Sequence, residues 1–142
     1  MKRILFSIPL LLLPLLGVSQ CKNFVKKECL PMLETFTHNG QLNSATLVQG
    51  ETAELAMTFY SGQNYRLVIK GQEHLGVVTF RILDSQKNEV YSNTKDNNAT
   101  KWDFNVESTQ IFYIEVSVPK SEATHKMVQS GCVAILLGFK KG

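Results

Sequence analysis

The stretch from Tyr65 to Val118 constrains this chain most, because apolar side chains recur in it at every second position. Tyr65-Arg66-Leu67-Val68-Ile69-Lys70 breaks at Gly71, and Val77-Val78-Thr79-Phe80-Arg81-Ile82-Leu83 runs into the turn residues Asp84-Ser85-Gln86-Lys87-Asn88. Trp102 to Val106 and Phe112 to Val118 repeat the pattern. A period of two belongs to one face of a strand, whereas a helix repeats at about 3.6 residues. Alternating segments bounded by Gly, Asn, Asp and Pro therefore predict consecutive antiparallel strands.

Carried outward, the same reading gives eight strands. Gln41 to Val48 and Thr52 to Tyr60 precede Tyr65 to Lys70; Val77 to Leu83, Glu89 to Ser92, Trp102 to Val106 and Ile111 to Val118 follow it. Pro119 stops that run, and Lys120 to Gly131 reads as a longer loop. The final strand, Cys132 to Phe139, is apolar at both phases, so it belongs in the middle of a sheet or beneath a covering segment. The predicted fold is an all-β antiparallel two-sheet sandwich of jelly-roll type.

Two segments precede the sandwich, giving a division into 1–19, 20–40 and 41–142. Lys2 and Arg3, the apolar run Ile4 to Leu16 and the small-residue site Gly17-Val18-Ser19 describe a secretory signal peptide cleaved after Ser19. The run is shorter than the roughly 20 residues of a transmembrane helix. Cys21, just beyond it, admits a lipid-anchored alternative, against which Gln20 is a poor residue before a lipidated cysteine. In residues 20–40, Phe24, Val25, Cys29 and Leu30 share one face of a short helix that turns Lys22, Lys26 and Lys27 to water and that Pro31 ends. An extended crossing to the Asn39-Gly40 turn follows.

Charge excludes two classes of partner. The 15 Lys and Arg against 12 Asp and Glu fall to 13 − 12 = +1 once Lys2 and Arg3 leave with the signal peptide. Neither nucleic acid nor an anionic membrane finds a basic footprint on such a chain. Export favours disulfides over reactive thiols. A helical rise of 1.5 Å per residue places Cys21 and Cys29 about 12 Å apart, beyond the 4.4–6.8 Å a disulfide spans, so the expected pair is Cys29 with Cys132.

Motifs for catalysis are not found. His38, His74 and His125 stand alone in predicted loops, without the paired spacing of a zinc site, and there is no Gly-x-Ser-x-Gly elbow or phosphate-binding glycine loop. Asp96, Asn97 and Asn98 cluster oxygen ligands of the kind loop calcium sites use, but one carboxylate is thin for a cation, and no cofactor is expected. Trp102 alternates with Phe104 and Val106 and is assigned to the core, whereas Tyr113, out of phase with Phe112 and Ile114, tilts outward.

The order Gly62-x-x-Tyr65-x-Leu67-x-Ile69, Phe80-x-Ile82-x-Asp84, Val90-Tyr91 and Phe112-x-Ile114-x-Val116 resembles the bacterial pre-peptidase C-terminal type of β-sandwich. That resemblance implies a secreted jelly-roll module, often appended to exported enzymes and without catalytic residues of its own. The N-terminal segment and the ending Gly131-Cys132-Val133 resemble a small exported bacterial β-sandwich family of unknown function.

These readings converge on a non-enzymatic secreted or periplasmic binding module whose partner is an envelope protein or glycan. The alternative is a carbohydrate-binding or inhibitor-like accessory module acting with an exported hydrolase. Outer sheet faces carrying Glu54, Thr58, Arg66 and Lys70 are expected in water, leaving recognition to loops at one end of the sandwich. Gln72, Glu73, Asp96 and Asn97 are the candidate contacts there, with Tyr113 as a further candidate. Replacing the four loop residues is expected to leave stability nearly unchanged.

Overall fold

The computed structural model describes residues 21–121 and 127–142, so the expected signal peptide, its cleavage site, His125 and part of the Lys120 to Gly131 loop lie outside the described residues. Among the described residues nine strands form two antiparallel sheets. The first sheet contains β1 (Thr37–His38), β2 (Asn43–Val48), β4 (Gln63–Gly71), β7 (Lys101–Asn105) and β9 (Ser130–Lys141). In it β9 and β4 lie side by side, β7 borders β4, and β1 and β2 share the free side of β9. The second sheet runs β3 (Thr52–Phe59), β8 (Gln110–Ser117), β5 (Thr79–Leu83), β6 (Glu89–Ser92). The ninth strand, β1, is a two-residue pairing on the far side of the Asn39-Gly40 turn that alternation over so short a run could not announce.

Alternation places the core as expected. Leu67, Ile69, Val133, Ile135 and Leu137 from the first sheet meet Phe59, Phe80, Ile82, Phe112, Ile114 and Val116 from the second. Each fully buried side chain of this size contributes about 1.5–3 kcal/mol relative to exposure. Trp102 packs against this core from the β7 edge, stacked between Tyr91 and Phe104 with ring centroids 4.5 and 4.1 Å away.

The outer face of the first sheet is covered as well. Val68, Ala134 and Leu136 point away from the main core and are buried by Cys21, Phe24, Val25, Cys29 and Leu33 of the N-terminal helical segment. This is the cover that the doubly apolar β9 required. Pro31 does not end the helical path. The chain continues into a 3-10 turn, Leu30–Leu33, in whose first turn proline fits because no N–H is needed there. Gly138 lets the segment lie flat: a Cβ there would sit 2.8 Å from Phe36 Cβ and 3.0 Å from Leu33 Cδ2.

The cover overturns two expectations. The disulfide joins Cys132 to Cys21, with Cα atoms 5.4 Å apart, and Cys29 is a free, fully buried thiol. Cys21, Val25 and Cys29 recur every fourth residue on the covered face, so spacing alone could not choose between the two cysteines. Placement chooses: the helix begins over the β2–β9 pair, where Cys21 Sγ is 3.7 Å from Thr46 Oγ1 and Thr46 lies opposite Cys132. Burial pushes the Cys29 thiol up to about 11, leaving it without thiolate character at neutral pH.

Arg66, expected on a solvent face, is buried under the same segment. Its guanidinium donates to both Asp103 carboxylate oxygens at 2.7 Å and to the Met32 carbonyl at 3.1 Å, and stacks 4.7 Å from the Phe36 ring centroid. Glu34 completes the clamp at 3.5 Å from Arg66 and 3.7 Å from Lys101. Its φ of 52° with ψ of −113° is a sparsely populated conformation that costs a side-chain-bearing residue about 1–3 kcal/mol. The hydrogen bonds from Arg66 hold the Asp103 carboxyl below the usual carboxylate range.

Two outcomes follow. Peptide mapping without reduction should link Cys21 to Cys132, with Cys29 alkylated only after denaturation; in the chain-entropy model, Cys132→Ser should lose about 4–5 kcal/mol for so long a loop. A Cys29–Cys132 peptide would contradict this arrangement. Because Asp103 has a lowered folded-state pKa, its contribution is complete above the ordinary carboxylate range and is lost as pH falls through that range toward the folded value. Asp103 is half exposed, so Asp103→Asn should remove only about 1 kcal/mol at pH 7, and the difference from wild type should close in acid denaturation below about pH 4.

Candidate functional site at the loop end

One end of the sandwich gathers two long connections that pass between the sheets. Residues 72–78 leave β4 for β5 through the 3-10 turn Glu73–Leu75, and residues 93–100 return from β6 to β7 through the turn Asn93–Lys95. Leu75 is fully buried and plugs the core from above. Gly131 permits that plug, because a Cβ there would meet Leu75 Cγ at 2.8 Å and His74 Nε2 at 2.7 Å.

Gln72 fastens this loop to β9. Its backbone N–H donates to the Cys132 carbonyl at 2.9 Å, and its side-chain Oε1 accepts from the Cys132 N–H at 2.8 Å. His74 Nε2 lies 2.7 Å from the Ser130 carbonyl, contact that requires the proton on Nε2. The second loop is organised by Asn93, which is 1% exposed. Its Oδ1 accepts from the Phe80 N–H at 2.8 Å, its Nδ2 donates to the Ala99 and Val78 carbonyls at 3.1 and 3.3 Å, and its own carbonyl accepts from Asp96 and Asn98. Asn97 and Asn98 then take left-handed φ of 51° and 56°, which asparagine tolerates better than most residues. Tyr91 donates to Asp96 at 3.0 Å, and burial, with that bond, pushes its phenol up to about 12, so it stays a donor at neutral pH.

Between the loops lies a depression of about 470 Å³, lined among others by Glu28, Lys70, Glu73, Val77, Asn97 and Thr100. Val77 is 56% exposed beside it. The lining offers carboxylates, one ammonium, amides and an apolar rim, a set suited to recognising the mixed surface of another macromolecule.

The expected contacts divide accordingly. Glu73 and Asn97 both line this depression, whereas Gln72 and Asp96 lie at the same end with their side chains hydrogen-bonded to Cys132 and Tyr91. Tyr113 is on the outer face of the second sheet, opposite Ala56 and Leu83 in register, with the Lys87 ammonium 3.4 Å from its ring centroid. It tilts outward as expected but is not part of the loop end. Glu28, Lys70 and Asn93 were missed. Glu28 arrives from a helix whose docking site the sequence does not specify, and Asn93 looks no different from its loop neighbours. His38 bonds the Gln41 carbonyl locally, and among the described residues no three His, Cys, Asp or Glu side chains converge as a metal site.

No protein-family model matches the chain, and no curated protein matches it. Among solved structures it is similar to the crystal structure of Aeromonas hydrophila PliG, a periplasmic lysozyme inhibitor of g-type lysozyme. That likeness has a TM-score of 0.52 at 11% identity and covers 75% of this chain and 90% of that one. It establishes a shared β-sandwich fold. The jelly-roll architecture implied by the pre-peptidase C-terminal resemblance is thus present, although no family model supports membership of that family.

Stability measurements separate the scaffold from the candidate contact groups. Asn93→Ala, which orphans the Phe80 N–H and two carbonyls in a buried site, should lose about 2–3 kcal/mol in urea unfolding. Glu73→Ala and Asn97→Gly, which keep the backbone conformations available, should each stay within about 0.5 kcal/mol of wild type.

Proposed function

We propose that this protein is an exported, non-catalytic module that binds and inhibits an exported hydrolase through the loop end of its sandwich. The observation that carries this reading is a fold shared over most of the length of a periplasmic lysozyme inhibitor. Its use at the cell envelope agrees with the signal-like start of the sequence and with the disulfide, which persists in oxidising compartments.

The geometry suits an inhibitor. Both loops are set before binding by backbone and side-chain hydrogen bonds, so little conformational entropy remains to be lost on association. The exposed Val77 offers an apolar anchor, and Lys70, Glu73 and the Asn97 and Asn98 amides surround it with polar contacts. A protein partner fits better than a glycan. The rings of Tyr91, Trp102 and Phe104 are stacked face to face on one another and so are not presented as a platform for sugars.

The test is a titration of the purified protein against g-type and other lysozymes with peptidoglycan as substrate. Stoichiometric loss of activity of at least one enzyme is expected, weakened at least tenfold in the combined Val77→Asp, Glu73→Ala variant, whose melting temperature should match wild type. Full hydrolase activity at excess protein across the panel, or turnover of peptidoglycan by the protein itself, would contradict the proposal.

A further inference from the structure

Among the described residues the sandwich has four strand edges, of which two are short and charged or bulged, one is split between two strands, and one is long and unbroken. On one side of the first sheet β1 and β2 are separated by the Asn39 to Leu42 turn; on the other, β7 is five residues long and carries Lys101 and Asp103. In the second sheet β6 has four residues and faces a register shift between Ile82 and Leu83. Short, charged or bulged edges resist the addition of another strand. The fourth edge differs. β3 is eight residues long, pairs with β8 in unbroken register from Thr52 to Phe59, contains no proline, and has Glu54 as its single charge.

The free groups on that edge can be assigned. The Val118 N–H donates to the Glu51 carbonyl at 3.0 Å, and the alternation of an antiparallel ladder then turns the N–H and C=O groups of Thr52, Glu54, Ala56 and Thr58 away from β8. Among the described residues nothing pairs with the backbone of Glu54, Ala56 or Thr58 on that side. Their side chains are exposed on the outer face, while Leu55 and Met57 on the inner side are only half-buried at the same seam.

We propose that β3 is a self-association edge on which a second copy of this chain adds its own β3 antiparallel, about a two-fold axis at Ala56. This register satisfies both faces and the ladder at once. Ala56 meets Ala56 of the second copy, and Glu54 meets Thr58, all as hydrogen-bonded pairs that exchange two N–H···O bonds each. No like charges oppose one another, and Glu54 is already paired with Lys87 at 2.7 Å. On the inner side Leu55 lies opposite Met57 of the second copy, which buries the exposed parts of both. Small residues at the dyad allow the close approach, and the second sheet becomes continuous across two molecules, an isologous contact that closes as a dimer.

The contact is tested by sedimentation equilibrium of the wild-type chain over a wide concentration range, with amide hydrogen exchange on the same samples. The expected result is a rise from one chain mass to two, accompanied by slowed exchange at Glu54, Ala56 and Thr58. Ala56→Lys and Ala56→Glu, each on an exposed position that leaves folding intact, should both be monomeric. Mixing them should restore the two-chain mass, because opposite charges then face one another at the dyad. A wild-type monomer at every concentration, a dimer whose edge amides still exchange freely, or a mixture of the two variants that stays monomeric would each overturn the proposal.

Discussion

Cys132 is the residue on which the rest of this structure hangs. Its sulfur is bonded to Cys21, its backbone N–H and carbonyl are both taken by Gln72, and its strand lies between two apolar layers. A strand buried on both faces cannot stand at a solvated surface, so β9 demands a cover as well as a core. The N-terminal segment supplies it, fixed at its start by the disulfide and further along by Arg66, which reaches from β4 to Met32, Glu34 and Phe36. The same strand neighbours therefore stabilise the sandwich, the cover and the first loop of the candidate site.

That coupling gives the loop end its character. Recognition loops on sandwiches are often the mobile part of the fold. Here the 72–78 connection is tied to Cys132 by Gln72 and plugged by Leu75, and the 93–100 connection is tied to β5 by Asn93. Polar side chains in these loops fall into two kinds that look alike in sequence: those bonded inward, such as Gln72, Asn93 and Asp96, and those facing the depression, such as Glu73 and Asn97. Only the second kind is free to bind a partner without loss of the scaffold.

The sheets were legible in the sequence because most strands are buried on one side alone, so Thr52–Phe59 and Gln110–Ser117 carry a clear period of two. The need for a cover was legible too, in the two apolar phases of Cys132 to Phe139. What sequence could not provide was where the covering segment would lie. Cys21 and Cys29 share its inward face, so the disulfide partner was undetermined, and Arg66 in a polar phase of β4 was read as solvent-facing. Val68, two residues on in the same phase, was the sign that this face was not in water; it is fully buried against the helix. The 72–78 and 93–100 loops share one end because topology sends both crossings to the same side, yet the roles of their residues depend on hydrogen bonds that no spacing encodes.

Cys132 joins the cover to the 72–78 loop of the candidate site. Amide hydrogen exchange, compared between the oxidised protein and protein with the Cys21–Cys132 bond reduced under native conditions, measures that link directly. Reduction should accelerate exchange in Val133 to Leu137 and in Gln72 to Gly76 together, while the β3–β8 ladder of the second sheet keeps its protection. Faster exchange confined to the N-terminal segment, with Gln72 to Gly76 unchanged, would contradict it.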